Sequence, residues 1–168
     1  MARDARPFKN ILSQKGVANW FPVNNHGGEV ELTRAHEVSQ SVDLALCETL
    51  IERNLSSHLS WECETRPEQL DLFLLKQMKR AGCRTIHLGL ESVSPPTLIA
   101  MGRLPDEKAV QQYLSHIRDI LSNCRSLSIE CRLHAMAGLP GDRAGASATR
   151  AFMRAYSSNK VEITPLTP

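Results

Sequence analysis

Four short runs hold the residues whose types and places could do chemistry: Gly27-Gly28-Glu29, Cys63-Glu64-Thr65-Arg66-Pro67, Gly89-Leu90-Glu91-Ser92, and the stretch His134-Ala135-Met136-Ala137-Gly138-Leu139-Pro140-Gly141. Each closes a segment with strand character, and in parallel barrels the working residues sit at the C-terminal ends of strands. Taken singly, each run has an ordinary reading. Gly-Gly-Glu is most often a turn before a solvated acid, a glutamate at a strand end is usually a surface residue, and Gly-Leu-Pro-Gly is usually a loop. Their recurrence at the ends of successive strands is much harder to obtain by chance.

Other chemistries find no support. The five cysteines, Cys47, Cys63, Cys83, Cys124 and Cys131, are widely spaced with no CxxC and no paired Cys/His cluster, which excludes a zinc site by spacing and reads as buried thiols in a reducing compartment. No nucleophile elbow, metal triad or phosphate loop is present to suggest a hydrolase. A net charge of +2 over 168 residues offers no basic stripe for nucleic acid, and no apolar run approaches membrane-spanning length. With 42% apolar and 23% charged residues, the chain is long enough for one domain with a sizeable core. A soluble, cytoplasmic protein is expected.

The elements that must position those runs follow from hydrophobic period. Ala18 to Val23 reads as a strand, followed by a turn over Asn24 to Gly28 and a helix presenting Leu44, Cys47, Leu50 and Ile51. Leu59, Trp61 and Cys63 alternate with Ser60, Glu62 and Glu64 as in a strand. From Pro67 the period lengthens, and Leu70, Phe73, Leu74, Met78 and Ala81 predict one face of a helix that Gly82 stops. Ile86, Leu88 and Leu90 alternate with His87, Gly89 and Glu91 in the next strand. Helices over Pro96 to Met101 and Glu107 to Leu121 lead to a strand from Leu127 to His134, then a short helix capped by Ser147 and a last strand, Val161 to Thr164.

Strands alternating with amphipathic helices imply parallel strands joined by crossovers. An open doubly wound sheet is covered on both faces, so its central strands are apolar throughout. Here one strand face carries Glu62, Glu64, His87, Glu91, Glu130, Arg132 and His134, and such a row needs water, partners or a ligand. The expected fold is therefore α/β, a partial (β/α) barrel whose polar face lines a cavity. On this reading Glu130 and Arg132 can neutralise each other, and His87, a lone lumen histidine, is more often a satisfied polar core group than a ligand.

The run CETRPEQLDLFLLKQMKRAGCRTIHLGLES resembles the third strand, third helix and fourth strand of radical S-adenosylmethionine (radical SAM) enzymes. The nearest groups are the cobalamin-binding members, the methylthiotransferases, the Elongator catalytic subunit and oxygen-independent coproporphyrinogen oxidase. HAMAGLPGD is similar to their fifth strand and its loop, and ITPLTP to their sixth strand, so the resemblance is clear from about residue 61 to 168. It implies a radical SAM core comprising about strands 2 to 6 over residues 1–168, with S-adenosylmethionine as cofactor. By resemblance, Gly27, Gly28, Glu29 and Glu64 hold the methionine ammonium, a charge-assisted contact. Arg103 takes the methionine carboxylate, which suits a guanidinium fork. Glu91 and His134 reach the ribose hydroxyls, and Arg66 and Ser92, at the same strand ends, belong to the expected cofactor-binding set.

The family holds a 4Fe-4S cluster on a CxxxCxxC loop after its first strand, and this sequence has no such motif. The expectation is a fragment of a radical SAM enzyme with most of the cofactor pocket and no metal site of its own. The first strand would be lost, replaced or supplied by another chain, through a flanking domain or an oligomer. The alternative is a degenerate, non-catalytic barrel acting as a binding or scaffold protein. The substrate is not legible.

Overall fold

The computed structural model describes residues 20–26, 29–34, 40–57, 60–140, 145–156 and 161–165. Its elements run β1 (Trp20–His26), β2 (Glu29–Arg34), α1 (Gln40–Glu52), β3 (Trp61–Thr65), a 3-10 turn (Pro67–Gln69), α2 (Leu72–Arg80), β4 (Cys83–Glu91), α3 (Pro95–Ala100), α4 (Glu107–Ser126), β5 (Glu130–Ala137), α5 (Gly145–Tyr156) and β6 (Val161–Pro165).

β3, β4, β5 and β6 form one parallel sheet in chain order. Right-handed crossovers between strands in sequential order bring every connecting helix to the same face. The burial pattern agrees: Cys63, Ile86, Leu88, Leu90, Cys131, Leu133 and Ala135 are buried, while Glu62, His87, Gly89, Glu91, Arg132 and His134 alternate with them and are partly open. A doubly wound sheet, in which the strand order reverses, is not what these strands form. Among the described residues the sheet has β3 and β6 at its hydrogen-bonded limits, with β2 running close beside β3.

The helices are read from the same chemistry. α4 buries Val110, Tyr113, Leu114, Ile117, Leu121 and Cys124 at steps of three and four, and Asp106 caps it by accepting from Ala109 N–H at 2.8 Å. α2 buries Leu74, Leu75 and Met78, and Gly82 with φ +95° lets the chain turn straight into β4. Trp61 joins the two ends of this unit, its indole N–H donating to Ala81 O at 2.9 Å. All five cysteines are buried thiols.

Several expectations are corrected. Trp20 to His26 does not end in a turn at Asn24; it pairs antiparallel with β2, His26 opposite Glu29 and Trp20 opposite Arg34. The alternation of Val30 and Leu32 with Glu29, Glu31 and Thr33 is the strand signal that a turn-to-helix reading passes over. The helix expected from Pro67 breaks at Leu70, which is extended, because Asp71 accepts from Leu74 N–H at 2.7 Å and starts α2 there. Phe73 is consequently 58% exposed rather than on the buried face. α4 continues to Ser126, so Leu127 caps the helix instead of opening a strand, and β5 begins at Glu130. Ser147 lies inside α5, which starts by Gly145.

Candidate functional site

The polar face takes its order from strand register. Glu64 of β3 pairs with His87 of β4, His87 with Arg132 of β5, and Gly89 with His134. Because these strands are parallel and staggered, side chains two residues apart meet across strand boundaries. His87 Nε2 lies 3.2 Å from Glu62 Oε2, and His87 Nδ1 lies 2.9 Å from His134 Nε2. Arg132 grips Glu130 with two nitrogens, at 3.0 and 3.4 Å, and reaches the same Glu62 oxygen at 3.6 Å. His87, Glu62 and Arg132 retain 23%, 27% and 30% of their side-chain exposure, so the row is neither sealed core nor free surface. The expected self-neutralising Glu130–Arg132 pair is present; His87, read as a lone polar group, has partners on both sides.

Toward the C-terminal ends of the strands, Glu91 adopts φ +60° and Ser92 N–H donates back to Leu90 O at 2.7 Å. A non-glycine residue in this left-handed region is strained and is held there by its surroundings. The register of β4 on β5 shifts at the same point. The turn carries the Glu91 carboxylate back over Gly89: a Cβ built on Gly89 would stand 3.5 Å from Glu91 Oε1 and 3.9 Å from Thr65 O. The carboxylate thus lies on the polar face beside the end of β3, next to the rung where Gly89 pairs with His134. Glu64, one residue before the end of β3, is exposed on that face.

Arg103 follows α3 and is 13% exposed in its side chain. Its Nη2 donates to Glu68 at 3.0 and 3.3 Å and to the Tyr113 hydroxyl at 3.3 Å, while the guanidinium stacks 5.5 Å from the Tyr113 ring centre. Its buried Nε has no hydrogen-bond partner. Burial alone would lower the Arg103 pKa, but Tyr113, Glu68 and Glu91 together raise it, so the guanidinium sits within the electrostatic reach of Glu91. Burial pushes the Tyr113 hydroxyl up to about 12 against the pull of Arg103.

The other sequence-selected residues fall differently. Glu29 opens β2, paired antiparallel with His26 of β1, not at the C-terminal end of a parallel strand; Gly27 and Gly28 lie outside the described residues. Arg66 is exposed between β3 and the 3-10 turn and makes no side-chain cap there. Ser92 turns inward, 1% exposed, its hydroxyl accepting from Ser94 N–H at 3.1 Å and bonded to Thr149 Oγ1 at 3.2 Å. It braces the end of β4 against α5. Glu62 and His87 are the members sequence reasoning left out of the site, although alternation already placed them on the same face as Glu64 and His134.

An iron-sulfur cluster does not fit these residues. Cys63, Cys83 and Cys131 are buried on β3, β4 and β5, and Cys47 and Cys124 on α1 and α4. Cluster ligation needs several thiolates converging on one group, whereas these five side chains are buried on five separate elements. Among the described residues no group of three or more His, Cys, Asp or Glu is placed to hold a metal ion. No described helix is long and apolar enough to cross a membrane.

Sequential parallel strands with helices on one face and an open polar face give this chain the fold of the radical SAM enzymes, as solved structures bear out. Among them is the radical S-adenosylmethionine methyltransferase TsrM from Kitasatospora setae. With tryptophan substrate and a SAM analogue it matches 74% of this chain at TM-score 0.61 and 16% identity. With cobalamin and a 4Fe-4S cluster it matches 92% at TM-score 0.65 and 14% identity. Coproporphyrinogen III oxidase (HemN) from Escherichia coli, also a radical SAM enzyme, matches 95% at TM-score 0.64 and 12% identity. The chain spans only 24%, 28% and 35% of those three structures. No protein-family model matches the chain, and no curated protein does.

Proposed function

We propose that this chain is part of a radical SAM enzyme core, an incomplete (β/α) barrel over residues 1–168 that binds S-adenosylmethionine at the C-terminal ends of β3, β4 and β5 in a cytoplasmic protein. The observation that carries the reading is the placement of Glu64, Glu91 and His134 on one polar face of adjacent parallel strands, with the Glu91 carboxylate turned back over side-chain-free Gly89. Glu64 would take the methionine ammonium, Glu91 and His134 the ribose hydroxyls, and Arg103 the methionine carboxylate. The unpartnered Nε of Arg103 supports its part, and its engagement with Glu68 means that the ligand carboxylate must compete for it. In a complete enzyme of this kind S-adenosylmethionine would be the source of a 5′-deoxyadenosyl radical, chemistry that would need a 4Fe-4S cluster which these residues do not hold. The residues of this chain bind and orient that ligand only, so a flanking segment or a second chain would supply the cluster loop.

The buried, widely spaced cysteines favour a second reading, a degenerate barrel that binds or scaffolds without catalysis. Calorimetric titration of the full chain with S-adenosylmethionine bears on both. Glu64→Gln or Glu91→Gln should weaken binding about tenfold or more, as expected for a hydrogen bond to a charged group. Glu68→Gln should strengthen it by releasing Arg103. Binding indifferent to all three substitutions would remove this pocket from the cofactor reading; no binding at all would leave the scaffold.

A further inference from the structure

The guanidinium of Arg103 has more acceptors than hydrogens on one nitrogen and no acceptor on the next. Nη2 carries two hydrogens and faces three oxygens: Glu68 Oε1 at 3.0 Å, Glu68 Oε2 at 3.3 Å and the Tyr113 hydroxyl at 3.3 Å. Nε carries one hydrogen, is buried and has no hydrogen-bond partner. Glu68 therefore grips Arg103 end-on, through one nitrogen, without the two parallel bonds that a carboxylate forms best with a guanidinium. A carboxylate set along the Nε–Nη2 edge would take one hydrogen from each nitrogen, and the second Nη2 hydrogen would stay on Tyr113. Three hydrogens would then meet three oxygens. Glu68 must leave for this to happen, and its place in the fold permits it. Its side chain is 44% exposed, against 13% for Arg103. The 3-10 turn that carries it is held by other contacts: Pro67 and Leu70 are buried, Leu70 N–H donates to Pro67 O at 3.1 Å, and His116 Nε2 donates to the same oxygen at 3.0 Å. Glu68 can swing outward on its own side-chain bonds while the backbone stays in place.

We propose that Glu68 is a displaceable carboxylate that occupies Arg103 in the free protein and yields it to the carboxylate of an incoming ligand. It thereby sets how strongly the chain distinguishes ligands that carry a carboxylate from those that do not. Tyr113 is the fixed post of the exchange: its ring centre lies 5.5 Å from the guanidinium carbon, and its hydroxyl keeps one Nη2 hydrogen in both states. The charge beside Arg103 is conserved, since one carboxylate replaces another, and the field of Glu91 acts on it before and after. Taking S-adenosylmethionine as the ligand rests on the cofactor reading above; the exchange of carboxylates does not.

The test sets two ligands against one substitution in the full chain, with folding of Glu68→Gln checked by circular dichroism. Decarboxylated S-adenosylmethionine keeps the sulfonium, the ammonium and the ribose and lacks only the carboxylate. By calorimetry, Glu68→Gln should tighten S-adenosylmethionine binding roughly fivefold, the difference between a charge-assisted and a neutral competitor for Arg103. It should not tighten the decarboxylated ligand. Both ligands carry net positive charge, so loss of the Glu68 charge acting through its field alone would weaken both. An S-adenosylmethionine affinity that falls or stays the same, or equal tightening of both ligands, would overturn the exchange. The cofactor reading would survive that result if Glu64→Gln and Glu91→Gln still weaken binding. The second arm uses sodium acetate, a carboxylate alone, and follows the Arg103 Nε–H signal by ¹H–¹⁵N NMR, with sodium chloride at the same ionic strength as reference. Acetate should move the signal downfield, and at lower concentration in Glu68→Gln than in the native chain. A signal indifferent to acetate in both chains would overturn the exchange. Acetate exchange without any S-adenosylmethionine binding would sink the cofactor reading and leave Glu68 guarding Arg103 for another carboxylate ligand.

Discussion

Thr149→Val removes one hydroxyl from the brace that holds the strained end of β4. Thr149 on α5 accepts from Val93 N–H at 3.1 Å and bonds Ser92 Oγ at 3.2 Å, and Thr149, Ser92 and Val93 are 4%, 1% and 8% exposed. Valine fills nearly the same space, so no cavity opens, but the Val93 amide is left buried without a partner and the Ser92 hydroxyl loses one. An unsatisfied buried group costs about 1–3 kcal/mol, and because Ser92 keeps Ser94 N–H the expected loss is about 2–3 kcal/mol. That is a large share of the roughly 5–15 kcal/mol by which a domain is stable. Thr149→Ser keeps the hydroxyl and loses one methyl, for about 1 kcal/mol. Urea unfolding of the native chain and both variants measures the difference. Since the brace also fixes the turn that aims Glu91, Thr149→Val should weaken S-adenosylmethionine binding several-fold at temperatures where it remains folded. A valine variant no less stable than the serine variant would refute the assignment of this bond network.

Glu91 at φ +60° should make Glu91→Gly more stable than Glu91→Ala by about 1–2 kcal/mol, the reverse of the ordinary order, because both lose the carboxylate and only glycine is free of the left-handed penalty; thermal or urea unfolding of the two variants decides it. Tyr113 stays protonated in the fold from its ordinary 10.0 up to about 12, so its contribution to stability is fully present below pH 10 and is lost as pH rises toward about 12. Unfolding free energies across that window should fall in the native chain more steeply than in Tyr113→Phe. Anaerobic reconstitution with iron and sulfide, followed by dithionite, should yield neither a stable 4Fe-4S spectrum nor 5′-deoxyadenosine from this chain, since its five cysteines are buried and wrongly spaced; product analysis for 5′-deoxyadenosine checks this directly.

The segments from Trp61 to Ala137 were the most legible, because each repeats one period long enough to name. The two-residue alternation of Ile86, Leu88 and Leu90 against His87, Gly89 and Glu91 is at once a strand and an assignment of faces, and the burial of alternate residues in β4 follows it. Boundaries were less legible where two local preferences compete. Pro67 can open a helix, but Asp71 caps a better one, and the difference turns Phe73 outward. In the first forty residues the alternation at Val30 and Leu32 was a hairpin signal masked by the glycines before it.

What sequence alone determined is the inventory: parallel strands in a βα rhythm, an apolar face, a polar face, and the membership of Glu64, Glu91 and His134 in the latter. Those properties depend on period and side-chain type, which are local. Tertiary structure decided who meets whom. Register sets His87 between Glu62 and His134, a positive φ swings Glu91 back over Gly89, and packing ties Arg103 to Glu68 and Tyr113 while turning Ser92 into the protein. Residues 25 and 47 positions apart become neighbours only through the stagger of three strands. No local pattern in the chain encodes that stagger; it is the sum of the burial of every strand against the helices behind it.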